Sequence, residues 1–205
     1  MRYLLFASCL IYLLACRSPY RNLQASDGDI NCVQKFTPVF SSALYNTSVN
    51  VIGKHLSGLL LLKQMPDSSI RVVFSSEMGV KFFDFEFSKQ GDFKVYYILK
   101  QMNKKAVVTT LRKDFEMILM RQIGTGSAYI LRDQQTKYHV FPAGKEFNAY
   151  ITDGGCNELL RIEKSSKRKI KVQAVMQHFV NGLPDTIGIT HRNFNFNIGL
   201  KRLER

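Results

Sequence analysis

The sequence predicts a mainly β protein of the α+β class: a curved antiparallel sheet, or unclosed β-barrel, covered by about two helices. Three observations carry this. Many short segments alternate with period two, as where Phe83, Phe85 and Phe87 point one way and Phe82, Asp84 and Glu86 the other, and that period belongs to strands. Only two segments have helical spacing. No strand–helix–strand alternation occurs, so the strands pair antiparallel rather than through crossover helices.

Taken in order, Thr37-Pro38 is a helix start, an N-cap hydroxyl followed by proline in the first turn. Phe36, Phe40 and Leu44 recur every four residues, which predicts a short helix from about Pro38 to Tyr45. "VNVIGKHLSGLLLLKQM" is a strand pair, or one long bent strand, broken at Gly53 or Gly58. "SIRVVFSSEMG" and "VKFFDFEFSKQ" follow with Met78-Gly79 at the turn, and Gln90-Gly91-Asp92 leads into "FKVYYILKQM". Val107, Leu111, Phe115 and Ile118 then predict a helix over about 104–122, with Asn103 as cap and Gly124 closing it. Lys104 and Lys105 oppose its dipole. Beyond it, "SAYILRDQQTKYHVFP", "EFNAYITD", "ELLRIEKSSKRKIKVQAVMQHF", "DTIGITHRN" and "FNFNIGLKRL" are strands separated by turn residues. A sheet with one apolar face and only two helices buries that face by curling around them. The abundant Phe suits either a dense core or an apolar cavity.

The N-terminus carries a different signal. The apolar run Tyr3–Ala15 has 13 residues, too short for the roughly 20 that span a bilayer. It fits a signal-peptide core preceded by Arg2. Leu13-Leu14-Ala15-Cys16 resembles a bacterial lipobox. That resemblance implies a cut before Cys16, whose sulfur carries lipid; the alternative is an ordinary signal peptide cut nearby, with Cys16 incidental. Residues 1–15 are then a cleaved lipoprotein signal peptide, 16–30 a tether and 31–205 a single domain. Lipoproteins of this kind carry three acyl chains, and two or more make a persistent anchor. In a two-membrane envelope, Arg17 rather than Asp after Cys16 points to the outer membrane, facing the periplasm.

The chain has a net charge of +13, of which +12 remains after residue 15. Export argues against nucleic acid as the partner and for anionic lipid or another anionic envelope polymer. The densest run, Lys164 to Lys171, reads most simply as a solvated hairpin turn. Of four cysteines, Cys9 leaves with the signal and Cys16 is the lipid site, so Cys32 and Cys156 remain. An even pair in an exported protein permits a disulfide; the alternative is two unpaired thiols.

The lipobox, a helix before the first strands, "GLLLLKQMPDSSIRVVFSSEMGVKFFDFEF", the mid-chain helix and the final "TIGITHRNFNFNIGL" together resemble LolB-like outer-membrane lipoproteins of the LolA/LolB superfamily, in the Bacteroidota type. The resemblance implies an unclosed antiparallel barrel with lid helices and an apolar cavity that takes acyl chains. In LolB a loop with an exposed apolar tip helps insertion into the membrane. Phe83, Phe85, Phe87, Leu111 and Phe115 are the cavity-lining candidates.

Catalytic patterns are thin. Asp84 and Glu86 form a carboxylate pair of the kind that serves acid–base chemistry, but alternating acids ordinarily mark the wet face of a strand. His55, His139, His178 and His191 show no metal-ligand spacing. Gly124-Thr125-Gly126-Ser127 lacks the Gly-Lys of a phosphate loop and follows a helix. Gly154-Gly155-Cys156 has no fixed His partner in sequence. The expectation is a non-enzymatic, membrane-anchored binder of acyl chains without cofactor or metal. The alternatives are an envelope interaction protein with a filled barrel and, third, a hydrolase using Asp84 and Glu86.

Overall fold

The structure is a computed structural model that describes residues 18–51, 54–124 and 126–203; the signal segment and Cys16 lie outside the described residues. Among the described residues, thirteen strands form one antiparallel sheet. They are β1 (Gln24–Ala25), β2 (Ser42–Val51), β3 (Lys54–Gln64), β4 (Ile70–Ser75), β5 (Lys81–Phe87), β6 (Phe93–Ile98), β7 (Tyr129–Arg132), β8 (Thr136–Ala143), β9 (Glu146–Asp153), β10 (Leu159–Ser166), β11 (Ile170–Val180), β12 (Leu183–His191) and β13 (Phe196–Arg202). Their order is β1-β7-β8-β9-β10-β11-β12-β13-β2-β3-β4-β5-β6, so β1 and β6 are free edges and the barrel is unclosed. One α-helix, α1 (Lys105–Ile118), and one 3-10 helix, Ile30–Phe36, accompany it.

The sheet is curled around α1. Phe115 on the helix meets Phe83 of β5 at 5.7 Å between ring centres, and the neighbouring Asp114 accepts a hydrogen bond from His191 of β12 at 2.9 Å. Lys113 reaches Glu146 of β9 at 3.0 Å. In the strand order β9 and β5 are eight places apart, roughly 38 Å in a flat sheet at ~4.8 Å per strand. A helix about 10–12 Å across touches both only if the sheet wraps it. Leu111, Phe115, Met117 and Ile118 are buried against this inner face.

Three expectations are corrected. Residues 38–45 are not a helix: β2 begins at Ser42, and the helical turn lies earlier, at Ile30–Phe36, where Asp29 caps it by accepting the Asn31 N–H at 2.8 Å. Of the residues whose four-residue spacing suggested that helix, Phe36 ends the 3-10 helix, Phe40 precedes β2 and Leu44 lies in it, and Thr47, Val49 and Val51 continue the strand with β-branched side chains. Helix α1 stops at Ile118 rather than 122, and Lys104, not Asn103, occupies its N-cap without a side-chain bond. Residues 18–25 lie on the outer face of the sheet, where Tyr20 and Leu23 cover Tyr138, Val140, Ala149 and Ile151, and β1 pairs with β7. The strand pair that the sequence breaks at Gly53 or Gly58 is β2 with β3, paired from Ser42 with Lys63 to Val51 with Lys54. Gly58 sits inside β3, where a Cβ would fall 2.0 Å from the Ser75 carbonyl oxygen.

Truncating Phe115 to Ala removes a fully buried ring from the helix–sheet contact, and should cost about 3–5 kcal/mol in chemical unfolding. A second prediction follows from Glu146, whose carboxylate holds Lys113 of α1 and Lys171 of β11. Partial burial pushes its carboxyl up, but the hydrogen bonds from the two lysines outweigh that and lower it from 4.5 to about 2. A depressed folded-state value stabilises the fold fully above about 4.5, and that contribution is lost as pH falls toward about 2. The difference in unfolding midpoint between the wild type and Glu146→Gln should therefore shrink across that window.

Candidate functional site

The five cavity-lining candidates are brought together in one buried cluster. Phe83, Phe85 and Phe87 all point to the inner face and are buried. Phe83 stacks on Phe85 at 4.5 Å, and Phe93 of β6 closes on both Phe85 and Phe87 at 5.2 Å. Leu111 and Phe115 of α1 press on the same cluster. These side chains pack as core with their own partners.

Space for a ligand lies at one end of the sheet. β11 pairs with β10 only as far as Ala174 and continues to Val180. Beside this free stretch is an open groove of about 700 Å³, with Phe36, Leu159, Met176 and Phe179 as its apolar wall and Lys35 and Glu158 at its rim. That volume falls in the ~300–1,000 Å³ range of small-molecule sites. Phe36, Leu159 and Met176 also belong to the inner core, so the groove opens onto the concave face. Sequence reading missed it, because three separate elements contribute its wall.

Polar groups inside the fold are held structurally. Asp84 is not on a wet face: it is 3% exposed and accepts hydrogen bonds from Arg71 at 3.0 Å and Lys81 at 2.9 Å. Burial pushes its carboxyl up, but these bonds outweigh burial and hold it below the usual carboxylate range. The Arg71 guanidinium also stacks on Tyr96 at 3.7 Å. A carboxylate so neutralised is a poor general base. Lys164 is likewise not part of a solvated turn; it is a buried residue of β10 opposite Asn148, and burial followed by repulsion from Lys113 lowers its ammonium below the usual lysine value. Asp114 is raised by burial, a shift opposed by its bond from His191.

Cys32 and Cys156 form a disulfide that ties the 3-10 helix to the β9–β10 loop, across 124 residues of chain. His139 Nε2 lies 3.7 Å from Cys32 Sγ and 3.2 Å from Thr152 Oγ1. Burial, then Lys137, lowers its imidazole to about 4, so it is neutral at physiological pH. Two sulfurs and an imidazole are donors suited to a soft metal, but here the sulfurs are bonded to each other.

One exposed apolar feature stands apart. The β4–β5 turn presents Met78, 89% exposed, and Val80, 54% exposed, with Gly79 in a left-handed conformation between them. A methionine so bare on a hairpin tip has no packing role in the fold.

No family model matches the sequence, and no curated protein is similar to it. Solved structures are similar in fold. A LolA superfamily protein from Nitrosomonas europaea superposes with a TM-score of 0.58 at 8% identity, covering 87% of this chain and 93% of the other. A DUF1329 family protein from Desulfovibrio piger gives 0.47 at 7% identity over 85% and 90% of the two chains. A proposed outer membrane lipoprotein-sorting protein domain from Vibrio parahaemolyticus gives 0.45 at 8% identity over 85% and 90%. Nearly the whole described chain, the unclosed antiparallel sheet with its enclosed helix, has the LolA/LolB-like fold.

Proposed function

We propose that this chain is a lipid-anchored protein of the cell envelope that binds acyl chains of lipids or lipoproteins and catalyses no reaction. The observation that carries this is the apolar groove of about 700 Å³ opening onto the concave face of a LolA-like sheet. An acyl chain laid along Phe36, Met176 and Phe179 would be held by burial, at ~25 cal/mol per Å². Lys35 at the rim suits an anionic headgroup. The lipobox supports an anchor at Cys16, in the outer membrane and facing the periplasm. The bare tip at Met78 supports contact with a bilayer, in the manner of the LolB loop. A role in lipoprotein sorting is the finer form of this reading.

A second reading is favoured by the packed rings of Phe83, Phe85 and Phe93: an envelope interaction protein with a filled barrel. Titration of the full chain with a fluorescent fatty-acyl probe separates the two. Saturable binding is expected, weakened about fivefold by Phe179→Ala, which removes a partly exposed ring worth ~1 kcal/mol at the groove. Phe85→Leu should leave binding intact if the groove is the seat, and weaken it if the chain enters the core. No saturable binding at all would establish the filled barrel.

The anchor is tested separately. Cys16→Ala should block processing and move the protein out of the detergent phase. A variant that is cut and membrane-bound like wild type would refute lipidation.

A further inference from the structure

The alternation of an antiparallel sheet sorts its turns to two ends, and the charges sort with them. At one end lie the turns at 76–80, 144–145, 167–169 and 192–195 and the loop 99–104. They carry Lys100, Lys104, Lys145, Lys167, Arg168, Lys169 and Arg192 against a single described carboxylate, Glu77. At the other end the turns carry Asp67, Asp92, Asp133 and Glu158 against Lys89, with Asp153 at the end of β9 and Lys35 on the 3-10 helix beside them. The aspartates have structural work. Asp67 accepts the Ser69 N–H at 3.0 Å, Asp133 the Thr136 N–H at 2.7 Å, and Asp153 the Glu158 N–H at 2.8 Å. In the basic turns, Arg192 donates a hydrogen bond to Gln173 Oε1 at 2.7 Å. Among the described residues, Lys145, Lys167, Arg168 and Lys169 are exposed and pair with no carboxylate.

The N-terminal segment arrives beside the same end. The Tyr20 hydroxyl bonds Ser165 Oγ at 2.6 Å and also Glu163, and its ring packs 5.2 Å from Phe147. Ser165 lies two residues before the 167–169 turn, and Phe147 two after Lys145. Cys16 precedes Tyr20 by four residues, at most about 14 Å of extended chain. A chain end held that close leaves the body little freedom to turn away.

We propose that the rim led by Lys145, Lys167, Arg168, Lys169 and Arg192 is the surface that this chain lays on an anionic phospholipid bilayer, which orients the groove at the opposite end away from that bilayer. The proposal rests on the envelope reading above for its membrane, and the rim stands on its own charges. Each lysine or arginine near an anionic leaflet strengthens association about fivefold, and the attraction fades beyond a Debye length of about 8 Å at physiological salt. Unpaired cations on protruding turns fall within that range; the turn aspartates at the far end would be repelled.

The test uses the full chain purified from membranes and diluted into vesicles of phosphatidylcholine, or of phosphatidylcholine with about one third phosphatidylglycerol. Amide hydrogen exchange is followed at 166–170 and at 153–158. Exchange at 166–170 should slow several-fold only with phosphatidylglycerol and recover in about 0.5 M salt, while 153–158 is the same in both. Replacing Lys167, Arg168 and Lys169 by Gln should abolish the response at an unchanged unfolding midpoint. Equal exchange in the two vesicles, or slowing at 153–158 instead, overturns the proposal. So does slowing by a dissolved polyanion without any by the vesicles, which would assign the rim to a soluble partner. The mass of the peptide containing Cys16 reports lipidation independently, so a failed anchor and a failed rim are distinguishable.

Discussion

The seating of α1 against the inner face of the sheet is the contact on which the rest of the structure depends. Thirteen antiparallel strands with one apolar face have no second sheet to cover it. The face must either stay wet or bend onto something, and apolar area removed from water favours bending. Leu111, Phe115 and Ile118 supply the object. Once the sheet wraps that helix, β9, β12 and β5 come within reach of one another through it, and β1 and β6 are left as edges.

That arrangement explains the polar interior. A helix enclosed by a sheet presents some of its polar residues inward, and Asp114 is one of them. His191 answers it from the end of β12, and Lys164 lies nearby on β10. Buried groups of opposite sign lower each other's desolvation cost, which otherwise opposes their burial. Lys113 and Glu146 complete the tie at the margin of the sheet. At the other end, the 3-10 helix and the Cys32–Cys156 disulfide hold the mouth where β11 outruns β10, and the groove forms in that gap. The helix thus occupies the concavity, and the groove lies where the strands become unequal in length.

The same topology gives the molecule its electrical polarity. Consecutive antiparallel strands place alternate turns at opposite ends, so a simple bias in which turns receive Asp and which receive Lys or Arg becomes a dipolar surface. Aspartate is useful in a turn because its carboxylate accepts the turn's own N–H groups. Lysine offers no such service, so its concentration in the other set of turns asks for a different explanation, which an anionic surface supplies.

By itself the sequence determined the class of the fold. Period-two alternation in "VKFFDFEF" and in the strands after residue 128 is set by local backbone geometry and survives without tertiary knowledge, as does the 3.6-residue recurrence of Val107, Leu111 and Phe115. The order of elements then excluded a parallel sheet. Spacing alone failed at Phe36, Phe40 and Leu44, which fall in the 3-10 helix, in the connection and in β2, and the pairing of β2 with β3 and β13 makes residues 42–51 a strand. Only the tertiary structure brought Phe83, Phe85 and Phe87 into one cluster with Leu111 and Phe115, because that depends on how closely α1 approaches, a distance no pattern encodes. It likewise buried Asp84 and Lys164, which local pattern assigned to water: Arg71 and Lys81 close on Asp84, and Lys164 lies in β10 between β9 and β11. The groove belongs wholly to the fold. Its wall comes from residues 36, 159, 176 and 179, and only the register of β10 on β11 makes them neighbours.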